Sequence, residues 1–166
     1  MLSQNKMLNS GAKRWGLKLG AQSVVAGTNI EEMVKSVKEL NANGISATID
    51  NLGEFVFKKK EAIQAKNQIL AVIEAIHQHQ LEAHISLKPT QLGQDIDYGF
   101  CLENLVEIVD KASKNNIFIN FDMEDHGHLQ SSFDLIDELS KNYNNIGTVI
   151  QAYFYDAKDV IRKYED

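Results

Sequence analysis

Four strand-like segments of this chain each run into a polar side chain at the C-terminal end: Asp50 after ISATI, Lys88 after HISL, Asp122 after IFINF and Gln151 after GTVI. Strands of a parallel sheet are buried, so a carboxylate or ammonium at a strand end is costly unless it meets a partner, a ligand or water at the sheet's mouth. The layout therefore predicts a parallel α/β sheet with a site assembled along one rim.

Helical patterns fill the intervals between these segments. Thr28 and Glu31 form a Thr-x-x-Glu capping box, and the helix it opens runs through Val34, Val37 and Leu40 to a stop at Gly44. Strand one is read as Ile45 to Asp50. A second helix covers about Lys60 to His79, with Ile63, Ile69, Leu70, Ile73 and Ile76 on its apolar stripe. Strand two follows as Ala83 to Lys88, helix three as Gly99 to Asn115, strand three as Ile117 to Asp122, helix four as Leu129 to Tyr143 and strand four as Gly147 to Tyr153. A last helix starts near Asp156.

The strand ends lie roughly 30 to 38 residues apart, the repeat of a βα unit in a (β/α)8 barrel of about 250 residues. Strand parity separates a barrel wall from an open doubly wound sheet. One face carries Ile45, Ala47, Ile49, Ile85, Leu87, Ile117, Ile119, Phe121, Ile150 and Ala152, whereas the other carries Ser46, Thr48, Asp50, His84, Ser86, Lys88, Phe118, Asn120, Asp122, Val149 and Gln151. An open sheet covered on both sides is apolar on both; one apolar and one semi-polar face suit a barrel wall turned toward a ligand-bearing lumen. The predicted fold is thus α/β of the (β/α)8-barrel type, with four βα units forming a half-barrel over residues 28–166 and an N-terminal helical arm over residues 1–27.

Composition bounds the function. At 166 residues, 43% hydrophobic and 24% charged, the chain is an ordinary soluble domain in its averages, and its net charge of −6 argues against a general nucleic-acid binder. Of the 17 lysines and arginines, Lys6, Lys13, Arg14 and Lys18 fall in the first 20 residues, which hold no acid. With Leu8, Ala12, Trp15 and Leu19 on one helical face, this arm either packs on the domain or rests on an anionic bilayer. The single cysteine, Cys101, lies beside Phe100, Leu102 and Leu105 and reads as core filler in a cytoplasmic protein. DMEDHGH (residues 122 to 128) holds metal-ligating residue types without an ordered spacing, so no metal is assigned. Glu124 and Asp125 read as solvated or helix-initiating carboxylates, and His77 and His79 as surface.

The segments DNLGEF (50 to 55), ISLKPTQLG (85 to 93), NFDMED (120 to 125) and VIQAYFY (149 to 155) resemble the successive strand-end motifs of monofunctional bacterial proline dehydrogenases. These are flavoenzymes with a distorted (β/α)8 barrel, and the resemblance covers the first half of their domain. It implies oxidation of L-proline to Δ1-pyrroline-5-carboxylate, with hydride passing to FAD and electrons to a membrane quinone. By the same resemblance Lys88 pairs with the substrate carboxylate, Asp122 orients and supports Lys88 and the substrate amine, and Met123 and Gln151 line the flavin. Glu54 matches a gating glutamate that pairs with a late arginine, and Asp50 is a supporting residue that holds Lys88. Where the family continues QAYLYR, this chain has Asp156 at the arginine position, and the later flavin- and substrate-binding cations lie outside the matched half. A homodimer or a complementing C-terminal half is therefore expected. The alternative is a non-catalytic half-barrel serving as an interaction or regulatory module, and a Lys88–Asp122 pair that is only a barrel-mouth ion pair would suit it.

Overall fold

The computed structural model describes residues 27–164, so the predicted basic arm lies outside the described residues. The described residues divide into two compact units, residues 27–46 and 47–164.

In the first unit, helix α1 spans Ile30–Ala42 and buries Met33, Val34 and Val37. Its cap sits one residue later than predicted. Asn29 is the N-cap, its side-chain oxygen accepting the Glu32 N–H at 3.0 Å, and the Glu32 carboxylate reaches back to the Thr28 N–H at 2.7 Å and hydroxyl at 3.0 Å. Thr28 and Asn29 are both good caps, and Glu32 rather than Glu31 lies within reach of the orphan donor. Ile45 was expected to begin strand one on its buried face, yet it is 51% exposed. Its N–H is still bound to the Leu40 carbonyl at 3.1 Å, which keeps it out of the ladder.

The second unit alternates as predicted: β1 (Ala47–Asp50), α2 (Lys59–His79), β2 (Ala83–Leu87), a 3-10 turn (Pro89–Leu92), α3 (Tyr98–Lys114), β3 (Ile119–Phe121), α4 (Leu129–Ser140), β4 (Ile146–Thr148) and α5 (Ala157–Lys163). The four strands pair in sequence order, all parallel. Asp50, Ser86, Asn120 and Gly147 share one cross-strand row, and Ile85, Ile119 and Ile146 share another. The expected parity therefore holds wherever the strands are paired. Ile85, Leu87, Ile119 and Phe121 are at most 2% exposed, and each contributes about 1.5–3 kcal/mol by burial.

Strand four is shorter than the sequence suggests, ending at Thr148 instead of running to Tyr153. Val149 makes the last ladder bond, its N–H donating to the Phe121 carbonyl at 2.9 Å. Beyond it β3 has no backbone left to offer, and the chain turns, with the Phe154 N–H donating to the Gln151 carbonyl at 3.0 Å. On α2, Ala62, Ala65, Ile69, Ile73 and Ile76 form the buried stripe, whereas Ile63, one residue off that stripe, is 42% exposed. Helices α2 and α3 lie side by side, bridged by Lys66 to Glu107 and by Lys111 to Glu74.

The turn after β2 is fixed from below by α3. Asn104 donates to the Leu92 carbonyl at 3.0 Å, and the Cys101 thiol to the Pro89 carbonyl at 3.6 Å. Cys101 is core filler, as expected: burial pushes its thiol up to about 12, where it is no nucleophile. Gly93 closes the turn at φ 103°, with the Phe100 ring so near that a Cβ would stand 2.7 Å from Cε1. Only glycine meets both demands.

Candidate active site

Parallel pairing places the ends of β1, β2 and β3 side by side, and the side chains beyond them meet. Lys88 Nζ donates to Asp50 Oδ2 at 3.0 Å and to Asp122 Oδ2 at 3.1 Å. Ser86, two positions below in the ladder, donates its hydroxyl to the second oxygen of Asp122. A lysine stem is long enough to reach back from its own row to Asp50, two positions below it in the ladder. Burial alone would lower the Lys88 pKa, but its hydrogen bonds to Asp50 and Asp122, and the charge of both, more than offset it and hold the ammonium above its ordinary value. The cluster carries one cation and two carboxylates, so it keeps a net negative charge even when Lys88 is fully protonated.

Gln151 comes to the same rim by a different route from the one expected. It is not a strand-tip residue, because β4 ends at Thr148; it stands in the following turn and donates its amide N–H to the Met123 carbonyl at 3.2 Å. That bond sets Gln151 and Met123 against each other, one residue along from Asp122. Glu54 lies exposed in the loop between β1 and α2. Among the described residues the one arginine, Arg162, bonds Asp159 at 3.2 Å, so no described arginine is free to pair with Glu54.

Two features of the loops were not anticipated. Glu124 is half-buried rather than solvated, accepting from the Thr90 hydroxyl and, at 3.3 Å, from the Thr90 N–H. Burial holds its carboxyl above the usual range, against the opposing pull of Thr90 and His128 and with a further push from Glu54. His128 sits between two aspartates, with Nδ1 2.6 Å from Asp125 and Nε2 2.8 Å from Asp95. Those hydrogen bonds raise its pKa, and partial burial opposes them. The sequence held a signal for the first feature in Thr90 and Gln91, a polar pair in the short turn that follows β2. Their burial follows from the turn's anchoring on α3, which no local pattern shows.

The profile of the proline dehydrogenase family matches residues 33–166. The chain belongs to that family. It is 42% identical over 165 residues to proline dehydrogenase 1 of Bacillus subtilis, spanning 99% of this chain and 55% of that protein. Proline dehydrogenase 2 of the same species is 35% identical over 154 residues, at 93% and 51% coverage, and proline dehydrogenase of Deinococcus radiodurans is 31% identical over 148 residues. The chain thus spans about half the length of the relatives it matches. In structure it resembles proline utilization A of Bdellovibrio bacteriovorus inactivated by N-propargylglycine, with a TM-score of 0.80 and 22% identity over 95% of this chain and 19% of the other. That likeness concerns the fold, and it agrees with a partial (β/α) barrel.

Proposed function

We propose that this member of the family serves the oxidation of L-proline to Δ1-pyrroline-5-carboxylate, the first step of proline catabolism, with FAD as cofactor and a quinone as the final electron acceptor. The observation that carries the reading is the Lys88 ammonium held between Asp50 and Asp122. Proline arrives as a zwitterion. Its carboxylate suits the Lys88 ammonium, displacing part of the internal pairing, and its ring ammonium suits Asp122, so both charges of the ligand find an opposite charge already in place. The reaction removes a hydride from the ring carbon next to nitrogen and a proton from the nitrogen, leaving a C=N bond. Asp122, which already accepts from Lys88 and Ser86, is the group that orients the amine for that loss.

The residues beside it fit the ring end of a flavin: a thioether at Met123 and an amide at Gln151, adjacent to the charged cluster. Bound FAD supplies the hydride acceptor. The Lys88 charge is matched by two aspartates, so cations for the flavin phosphates come from elsewhere, in this reading from a complementing C-terminal half or a second copy. In this reading the protein is cytoplasmic. Among the described residues no helix is long and apolar enough to cross a membrane.

Lys88→Ala tests the assignment. In FAD-loaded protein the proline KM should rise by about 10- to 100-fold, the loss of one charge-assisted contact, with flavin affinity little changed. An unchanged KM rejects Lys88 as the carboxylate partner.

A further inference from the structure

We propose that Thr90 is a positioning residue that straps the loop after β1, with Glu54 on it, to Glu124 in the loop after β3. Thr90 is fully buried, and its hydroxyl, N–H and carbonyl are all committed to these two loops. Toward β3, its hydroxyl and its N–H each donate to one oxygen of the Glu124 carboxylate. Toward β1, its hydroxyl oxygen accepts the Phe55 N–H at 3.1 Å, and its carbonyl accepts the Val56 N–H at 3.1 Å.

A hydroxyl has one proton to give. With that proton committed to Glu124, the oxygen's lone pairs face Phe55, and the bonds run one way from Phe55 through Thr90 to the carboxylate, each polarising the next. Phe55 needs such a hold, because its φ of 53° is a conformation that a bulky side chain keeps only when its surroundings enforce it. A second tie lies alongside, where the Gln91 amide donates to the Asn51 carbonyl at 3.0 Å and Gly53 lies against that amide so closely that a Cβ would be 2.5 Å from Nε2. The Phe55 ring also sits 5.7 Å from the His128 imidazole. The strap therefore sets where Glu54 stands relative to the Lys88 cluster, and it makes that position depend on Glu124. Its relevance to turnover rests on the proline dehydrogenase reading; its existence does not.

The test is residue-resolved amide exchange by NMR on the 166-residue chain carrying Thr90→Val, which keeps the shape and the backbone but removes the hydroxyl. The Phe55 amide should exchange about tenfold faster while Val56, bound to the Thr90 carbonyl, stays within about twofold. The Glu124 carboxyl, deprived of a donor, should titrate higher still, and Thr90→Ser should restore both. Equal acceleration at Phe55 and Val56, or none at Phe55, overturns the strap and marks Thr90 as ordinary core. In FAD-loaded protein the same variant should raise the proline KM by about fivefold with kcat within about twofold. If the unaltered protein fails to oxidise proline while the Phe55-selective exchange persists, the enzyme reading fails and the strap stands.

Discussion

Lys88 is the residue on which the proposed site turns, and its pairing with Asp50 and Asp122 makes it a stability element as well as the proposed carboxylate partner. Removing it leaves Asp50 and Asp122 facing each other without compensation. Lys88→Met, which keeps the stem, should therefore cost about 1–2 kcal/mol at pH 7, the lower end for a paired charge because the cluster stays partly solvated. The pH dependence has a defined sign. A lysine whose folded pKa is raised above its ordinary 10.5 contributes fully below that value and loses its contribution as pH climbs through the folded pKa. Urea unfolding at pH 7 and in strongly alkaline solution should show the wild-type advantage over Lys88→Met shrinking in the second; a constant difference would mean that the charge of the ammonium is not what stabilises the fold. The strand-tip carboxylates and the lysine were legible in the sequence because strand parity alone puts Asp50, Lys88 and Asp122 on one face at one end. The approach of Gln151 through a turn was not, since it depends on where β3 stops supplying partners to β4.

At the level of elements, the loops after β1, β2 and β3 behave as one tied unit. Thr90 joins the first and third, Gln91 the first and second, and His128 the second and third through Asp95 and Asp125. The histidine clamp gives the unit a pH-dependent part. Its pKa is raised above 6.5, so the clamp's contribution is complete below about pH 6.5 and fades as pH rises through the folded value. His128→Gln should thus cost about 0.5–1 kcal/mol of stability near pH 6 and progressively less in mildly alkaline buffer, measured by urea denaturation. A cost that is the same at both pH values would show the ring acting by packing on Phe55 alone. The helices and their order were readable because apolar spacing, caps and glycine stops are local signals. The ties between loops were hidden because each joins residues about 33 to 40 positions apart, and because Glu124 and Asp125 look alike in sequence while one is half-buried under Thr90 and the other pairs with a histidine.

Across the whole second unit, four parallel strands in sequence order leave β1 and β4 as edges among the described residues, and the semi-polar face carries Phe118 at 43% exposure. Open edges and an uncovered face favour association, which agrees with the proposal that a second copy or a C-terminal half completes the site. The half-barrel was legible from repeat length and from the contrast between the two sheet faces. The exposed Tyr153 and Tyr155 were not, because a β-branched and aromatic run reads as strand even where no neighbour remains to pair with it. The account stands on the claim that the rim built by Lys88, Asp122, Met123 and Gln151 presents proline to a flavin. Anaerobic addition of L-proline to FAD-loaded protein, followed by visible absorbance, tests it most directly. The account predicts that the flavin bleaches with L-proline and that Asp122→Asn slows the bleaching at least about tenfold; bound flavin that keeps its colour at saturating L-proline would contradict it.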